Sequence, residues 1–199
     1  MKLFPNNRYP VGYTLVEVLG VIAVILVLAG ITFGTVAGIQ SARMKSIAKA
    51  EIALITQSLS RFHTMYGDYP ITEGIEKNSI TLSKSLLGWK VFNGNPPKMV
   101  DLKEVPSEGL VTFIELSKIL YEGNLPLSEK IIPSNVQFID PWGNPYVYAY
   151  KESKNWDNYS FVLYSKGPDG TDEKLESNGV LTTRLKNFGK NIDNIYLED

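Results

Sequence analysis

The chain has 199 residues, 20 basic and 21 acidic side chains and a net charge of −1, a balance that gives no reason to expect nucleic acid as a partner. It has no cysteine, which excludes disulfides and thiolate metal sites, and a single histidine, His63, which excludes most zinc and Cys/His catalytic arrangements. No GxGxxG, P-loop or GxSxG pattern occurs.

The first twelve residues, MKLFPNNRYPVG, carry Lys2 and Arg8 and no acid. An apolar run follows, with no charged residue from Val18 to Ala42. As a helix it matches the ~20 residues that cross a ~30 Å hydrocarbon core. A secretory signal would have a shorter apolar core with a small residue after it. Here the small residue, Gly12, stands before the run, so cleavage there leaves the apolar segment on the mature chain. Glu17 lies in the first turn, where a carboxylate in lipid costs at least ~2.5–3.5 kcal/mol and needs a partner or a polar location. A new amine at Tyr13 would be such a partner, in the same helix or in a neighbour. The rival reading is a carboxylate at the headgroup level of an ordinary anchor. Arg43, Lys45 and Lys49 follow the run, so basic residues flank it on both sides and charge does not decide orientation.

Gly12-Tyr13-Thr14-Leu15-Val16-Glu17 resembles the prepilin cleavage and methylation motif of type IV pilins and type II secretion pseudopilins. The resemblance implies cleavage by prepilin peptidase between Gly12 and Tyr13, N-methylation of Tyr13, and an assembly and register role for Glu17. Tyr13 departs from the Phe or Met that usually begins the mature chain, and Gly34 stands where many pseudopilins carry a proline. The implied domains are a leader over 1–12, a long helix over 13–66 with its membrane-spanning part at 13–36, and a periplasmic head over 67–199.

The helical pattern continues past the apolar run. Ala48, Ile52, Ile55, Leu59, Phe62 and Tyr66 recur at spacings of three and four, which predicts one helix face packed on the head. His63 beside this stripe reads as an ordinary surface or boundary histidine. Gly67-Asp68-Tyr69-Pro70 predicts the helix exit. Over 71–138, LSKSLLGW and LVTFIELSKILY read as short helices, and NGNPPK and Pro106–Gly109 as turns. Glu104, Glu108 and Glu115 read as solvated surface carboxylates, since no partner is legible for them.

Asp140-Pro141-Trp142-Gly143-Asn144-Pro145 packs turn formers around one tryptophan and reads as a structural turn. YVYAY and YSFVLYS predict two strands. The acidic stretch after them, Gly167–Glu173, holds three carboxylates in a glycine-bearing loop, suited to calcium but without EF-hand spacing.

DPWGNPY, YSFVLYSKGPDG and NIDNIY together resemble the head of the major pseudopilin of type II secretion. That resemblance implies one calcium ion held by the Lys166 carbonyl, Asp169 and Asp193. Asp172 is a further candidate from local charge. LTTRLKNFGK stands as a basic insertion between the matched motifs.

The expected fold is α+β and type IV pilin-like: a long N-terminal helix, its first half membrane-spanning, packed on a small antiparallel sheet. The expected function is structural rather than enzymatic: a subunit of a homo-oligomeric helical pseudopilus that drives protein export. The implied partners are prepilin peptidase, minor pseudopilins, the inner-membrane platform of the secretion system and the membrane itself, with no nucleic acid. The implied location is the bacterial inner membrane, single-pass, with the head in the periplasm. The alternatives are a type IV pilin for adhesion, motility or DNA uptake, and a helix-anchored periplasmic enzyme or binding protein.

Overall fold

The computed structural model describes residues 12–72, 78–125, 132–133, 135–173 and 178–197, and of residues 32–37 it describes the backbone alone. The expected leader thus lies outside the described residues except for Gly12, and so does the glycine side of the argument at Gly34.

The chain divides into two units, Met1–Ala42 and Arg43–Asp199. A single helix, α1 (Leu15–Tyr66), carries residues of both. In the first unit its apolar side chains are exposed: Leu15, Val16, Leu19, Val24, Leu26 and Val27 each keep more than half of their surface. Among the described residues no helix is long and apolar enough to cross a membrane. This corrects the membrane-spanning first half expected over 13–36 and the single-pass inner-membrane location built on it.

In the second unit the periodic stripe of α1 forms the floor of the core. Ala48, Ile52, Ile55, Leu59 and Phe62 are fully or almost fully buried, and Tyr66 is half-buried. Spacings of three and four keep them on one face, as a 3.6-residue turn requires. The helix stops at Gly67, whose φ of 82° is open to glycine and whose N–H donates to the His63 carbonyl at 2.7 Å. His63 is exposed and lies against the Tyr69 ring, 4.5 Å between centroids.

Asp68 fastens this exit. It accepts from Tyr69 N–H at 3.0 Å, from the Tyr150 hydroxyl at 2.5 Å and from Lys151 Nζ at 2.6 Å. Partial burial disfavours its charge, but the Lys151, Tyr150 and backbone hydrogen bonds outweigh that and hold the carboxyl below its ordinary range. Lys151 makes this contact from a left-handed backbone conformation, φ 50°, which a side-chain-bearing residue rarely adopts.

The remaining elements are α2 (Asn78–Leu86) and six short strands: β1 (Lys90–Asn93), β2 (Lys98–Asp101), β3 (Tyr121–Glu122), β4 (Gln137–Phe138), β5 (Val147–Ala149) and β6 (Val162–Tyr164). They form three antiparallel pairs, β1–β2, β3–β4 and β5–β6, so the single small sheet expected is corrected to separate two-stranded pieces. One break lies between β4 and β5. The Ile139↔Pro145 bridge there carries two bonds, Asp140 N–H to the Asn144 carbonyl at 2.8 Å and Tyr146 N–H to the Phe138 carbonyl at 3.2 Å, while the Phe138 N–H donates to the Ser83 hydroxyl oxygen at 2.9 Å instead of continuing the ladder. LVTFIELSKILY is not a helix: it folds as a short 3₁₀ turn, Leu116–Lys118, followed by β3. A last short helix, α3 (Thr183–Lys186), opens the basic insertion, with the Thr182 hydroxyl accepting from Leu185 N–H.

One buried carboxylate joins α1 to the strands. Glu51 is 8 % exposed and accepts from the Tyr146 hydroxyl at 2.5 Å. Burial raises its pKa, and the nearby Asp140 adds to the rise; the Tyr146 hydroxyl and the Leu120 backbone only partly offset it. A carboxyl raised in the folded state favours folding most below the ordinary carboxyl pKa of ~4.3, and that contribution is lost as pH rises through the folded value. Glu51→Gln should therefore melt a few degrees above the wild type at pH 7–8. The gap should close near pH 4. Thermal melts across that range check this, and a gap that does not change with pH would refute it.

Candidate functional site

Two places carry the chemistry read from the sequence: the start of α1 and the loop after β6.

At the start of α1, Thr14 is the cap. Its carbonyl accepts from Val18 N–H at 3.2 Å, the first bond of the helix. Its hydroxyl accepts from Glu17 N–H at 3.3 Å. Glu17 reaches back, its Oε2 accepting from Thr14 N–H at 2.8 Å and from the Thr14 hydroxyl at 2.9 Å. This is a reciprocal capping box, which satisfies backbone donors that a helix start otherwise leaves open. The Thr14 backbone N–H, then its hydroxyl, lower the Glu17 pKa. Glu17 thus has a local role in this chain that the reading of it as an assembly acid did not include. The signal was in the sequence, as Thr14-x-x-Glu17 ahead of an apolar run. Tyr13 precedes the cap and is exposed, and Gly12 beside it has open space where a Cβ would stand. The bond between them lies ahead of the first residue of α1, beside the exposed Tyr13 side chain.

The loop after β6 is built from the Asp140 turn. Asp140 is fully buried. Its Oδ1 accepts from Trp142 N–H at 3.0 Å and Asn144 N–H at 2.8 Å, and its Oδ2 accepts from the Ser165 hydroxyl at 2.6 Å. The Ser165 oxygen in turn accepts from Gly167 N–H at 3.0 Å, and Asn144 Nδ2 donates to the Gly167 carbonyl at 2.9 Å. The DPWGNPY turn therefore holds the acidic loop from beneath, as a structural turn. The C-terminal segment closes it from the other side. Ser165 and Ile195 exchange both backbone hydrogen bonds, at 3.1 and 2.9 Å. Gly167, at φ 68°, lies so close that an added Cβ would stand 2.2 Å from the Asp193 carbonyl oxygen.

This closure brings Asp169 and Asp193 together: Asp169 N–H donates to Asp193 Oδ2 at 3.2 Å. Thr171 organises Asp169, donating its N–H to Oδ1 at 2.7 Å and its hydroxyl to Oδ2 at 2.8 Å. The Thr171 N–H and hydroxyl lower the pKa of Asp169, so it is ionised at neutral pH. Asp172 is differently placed. Its Oδ2 accepts from the Tyr164 hydroxyl at 2.7 Å, and its Oδ1 pairs with Lys166 Nζ at 3.0 Å. Among the described residues no group of three or more His, Cys, Asp or Glu side chains is placed to hold a metal ion. The donor set that fits calcium is narrower than the charge count: two adjacent ionisable carboxylates and the backbone carbonyls of a glycine-bearing loop, all oxygen, as that ion prefers. Bound there, calcium would cross-link the loop to the C-terminal segment. Both Asp169 and Asp172 have their two oxygens engaged, but Asp172 alone of the two is paired with an ammonium, Lys166 Nζ.

The sequence reading named Lys166, Asp169, Asp172 and Asp193; it read Asp140 and Asn144 as part of a structural turn and Gly167 as a loop glycine, but did not connect them, or Ser165, to the positioning of the acidic loop. No family model, no curated protein and no solved structure matches this chain.

Proposed function

We propose that this chain is a filament subunit of the pseudopilin kind, matured by cleavage between Gly12 and Tyr13 and polymerised to drive protein export. The observation that carries the reading is the first part of α1. Tyr13 is 87 % exposed, Leu15 77 % and Val16 75 %, and the apolar residues through Leu28 keep about half of their surface or more. An apolar surface of this extent on one helix calls for cover. Neighbouring copies of the same helix supply it in a homo-oligomer, by side-by-side packing of apolar faces. The second unit supports the reading in a different way. Its core is an ordinary buried cluster around the Ala48–Phe62 stripe, and Asp140 forms a turn while Asp68 and Asp101 form ion pairs. In this reading calcium bridges Asp169 and Asp193 and stiffens the head. Its partners are other copies of the chain, prepilin peptidase, and the minor subunits and platform of the export machinery.

The capping box bears on maturation. Thr14 and Glu17 satisfy the helix start by themselves, so α1 keeps its first turn whether residue 12 is attached or removed. Co-expression with a prepilin peptidase should yield a chain that begins at N-methyl-Tyr13, read by intact mass and N-terminal sequencing. Replacing Gly12 by a bulky residue should leave residues 1–12 attached and reduce processing roughly a hundredfold, the scale that a misplaced scissile bond costs. A chain that keeps Met1 in the presence of active peptidase would sink the proposal.

A further inference from the structure

The second unit carries a cationic groove and an acidic turn at different places; the groove shares Asp193 with the loop site above, and its lysines and the turn have no role there. The groove, about 510 Å³, lies along α1. Its lining includes Lys45 and Lys49, one turn apart on α1, Lys186 of α3, and Asn187 and Asn191. Lys186 is held in place by the Tyr196 ring, its Nζ 4.4 Å from the centroid. The one acid in the lining is Asp193. Among the described lining residues, three ammonium groups stand against one carboxylate.

The acidic turn is Glu104–Glu108. Both glutamates are exposed, and among the described residues neither forms an ion pair. Lys103 sits beside Glu104, and Asp101 is already paired with Lys84 and Lys90. The turn is anchored at both ends. Leu102 N–H donates to the Trp89 carbonyl at 2.8 Å, and Phe113 N–H to the Leu86 carbonyl at 2.8 Å. Gly109 N–H donates to the Pro106 carbonyl at 2.9 Å, which presents Glu108 at its tip. Phe113 packs on Phe62, ring centroids 5.2 Å apart. Phe62 lies about 20 Å along the helix from Lys49, at 1.5 Å per residue. The groove and the turn therefore sit near opposite ends of the part of α1 that forms the core.

We infer that the Glu104–Glu108 turn of one copy docks in the Lys45–Lys49–Lys186 groove of the next, a head-to-tail contact along the α1 direction. The inference rests on the filament reading above and supplies it with a specific head-to-tail contact. Two different, complementary patches on one chain make a heterologous interface, and such an interface that does not close on itself propagates as an open polymer. The charges are at the surface, so they set register and rate of assembly and are weakened by salt.

The test uses the full chain under the conditions of the maturation experiment. Lys45→Glu with Lys49→Glu should lower the yield of multimers roughly tenfold, and Glu104→Lys with Glu108→Lys should do the same. The two variants expressed together should restore multimers, because each then offers the patch that the other needs. A simple folding defect would not be rescued in this way. In the cysteine-free background, Lys45→Cys with Glu108→Cys should give a ladder of multimers with a bismaleimide, and either single variant should give no more than dimers. Filaments that survive both charge reversals without a ladder overturn this contact and leave the filament reading standing. A wild-type chain that stays monomeric after cleavage overturns both.

Discussion

Phe62→Ala should destabilise the second unit by about 3–5 kcal/mol, the usual cost of deleting a fully buried aromatic ring. Phe62 has no exposed surface. Its ring touches Tyr66, Phe113 and Phe92 at centroid separations of 4.6, 5.2 and 6.1 Å, in tilted or edge-on geometry. It is thus the point where α1, the β1–β2 hairpin and the segment after Pro106 meet. Such aromatic pairs add about 0.5–1.5 kcal/mol each beyond the area they bury. Set against a typical total of about 5–15 kcal/mol, the loss leaves the fold near its limit. Denaturant titration of the full chain should show a lower midpoint with an unchanged slope. Arg61→Ala, one residue away on the exposed face, is the control and should change stability by no more than about 0.5 kcal/mol. Equal effects from the two variants would mean that α1 does not pack as described.

The helix stripe that carries this prediction was legible because its signal is local. Ala48 to Phe62 repeat every three or four residues, and a 3.6-residue turn has only one way to use that pattern. The helix exit at Gly67 and the strands β5 and β6 were legible for the same reason. Residues 110–121 were misread. Leu110, Phe113, Ile114 and Leu116 also have helical spacing, but short apolar runs fit either state. Here the Phe113 N–H is committed to the Leu86 carbonyl, outside any helix, and a tertiary bond overrides the local pattern. The hairpin around NGNPPK shows the converse. Its turn was read, but strands as short as Lys90–Asn93 and Lys98–Asp101 have too few alternations to declare themselves.

The acidic loop was legible in charge and illegible in geometry. Three carboxylates near Gly167 and Gly170 are visible in the sequence. Which of them meets Asp193 depends on the Ser165↔Ile195 bridge, across a stretch with no periodic pattern. The pairing of Asp169 with Asp193 came from a family resemblance and not from the residues themselves. The diversion of Asp172 to Tyr164 and Lys166 came from neither.

Gly167→Ala should therefore have an effect out of proportion to one methyl group. At φ 68° an alanine meets the left-handed penalty of about 1–2 kcal/mol. Its Cβ would also stand 2.2 Å from the Asp193 carbonyl oxygen, a backbone atom that moves only if the C-terminal segment moves. The combined loss should be about 3 kcal/mol. Gly143→Ala separates the two causes. Gly143 has φ 90° but nothing within 4 Å of an added Cβ, so it carries the conformational penalty alone. The difference between the two variants then measures the close approach of Gly167 to Asp193. Calcium gives the second reading. Binding to the folded state alone raises stability by about 2.7 kcal/mol at a hundred times Kd. The wild type should melt higher in calcium than in chelator, with magnesium giving less. Asp169→Ala should keep most of the melting temperature seen in chelator and lose the calcium rise. Gly167→Ala should lose both, because moving Asp193 away removes the second carboxylate along with the Ser165–Ile195 pairing. A Gly167→Ala chain that melts like Gly143→Ala and still responds to calcium would show that the loop and the C-terminal segment are not joined at this glycine.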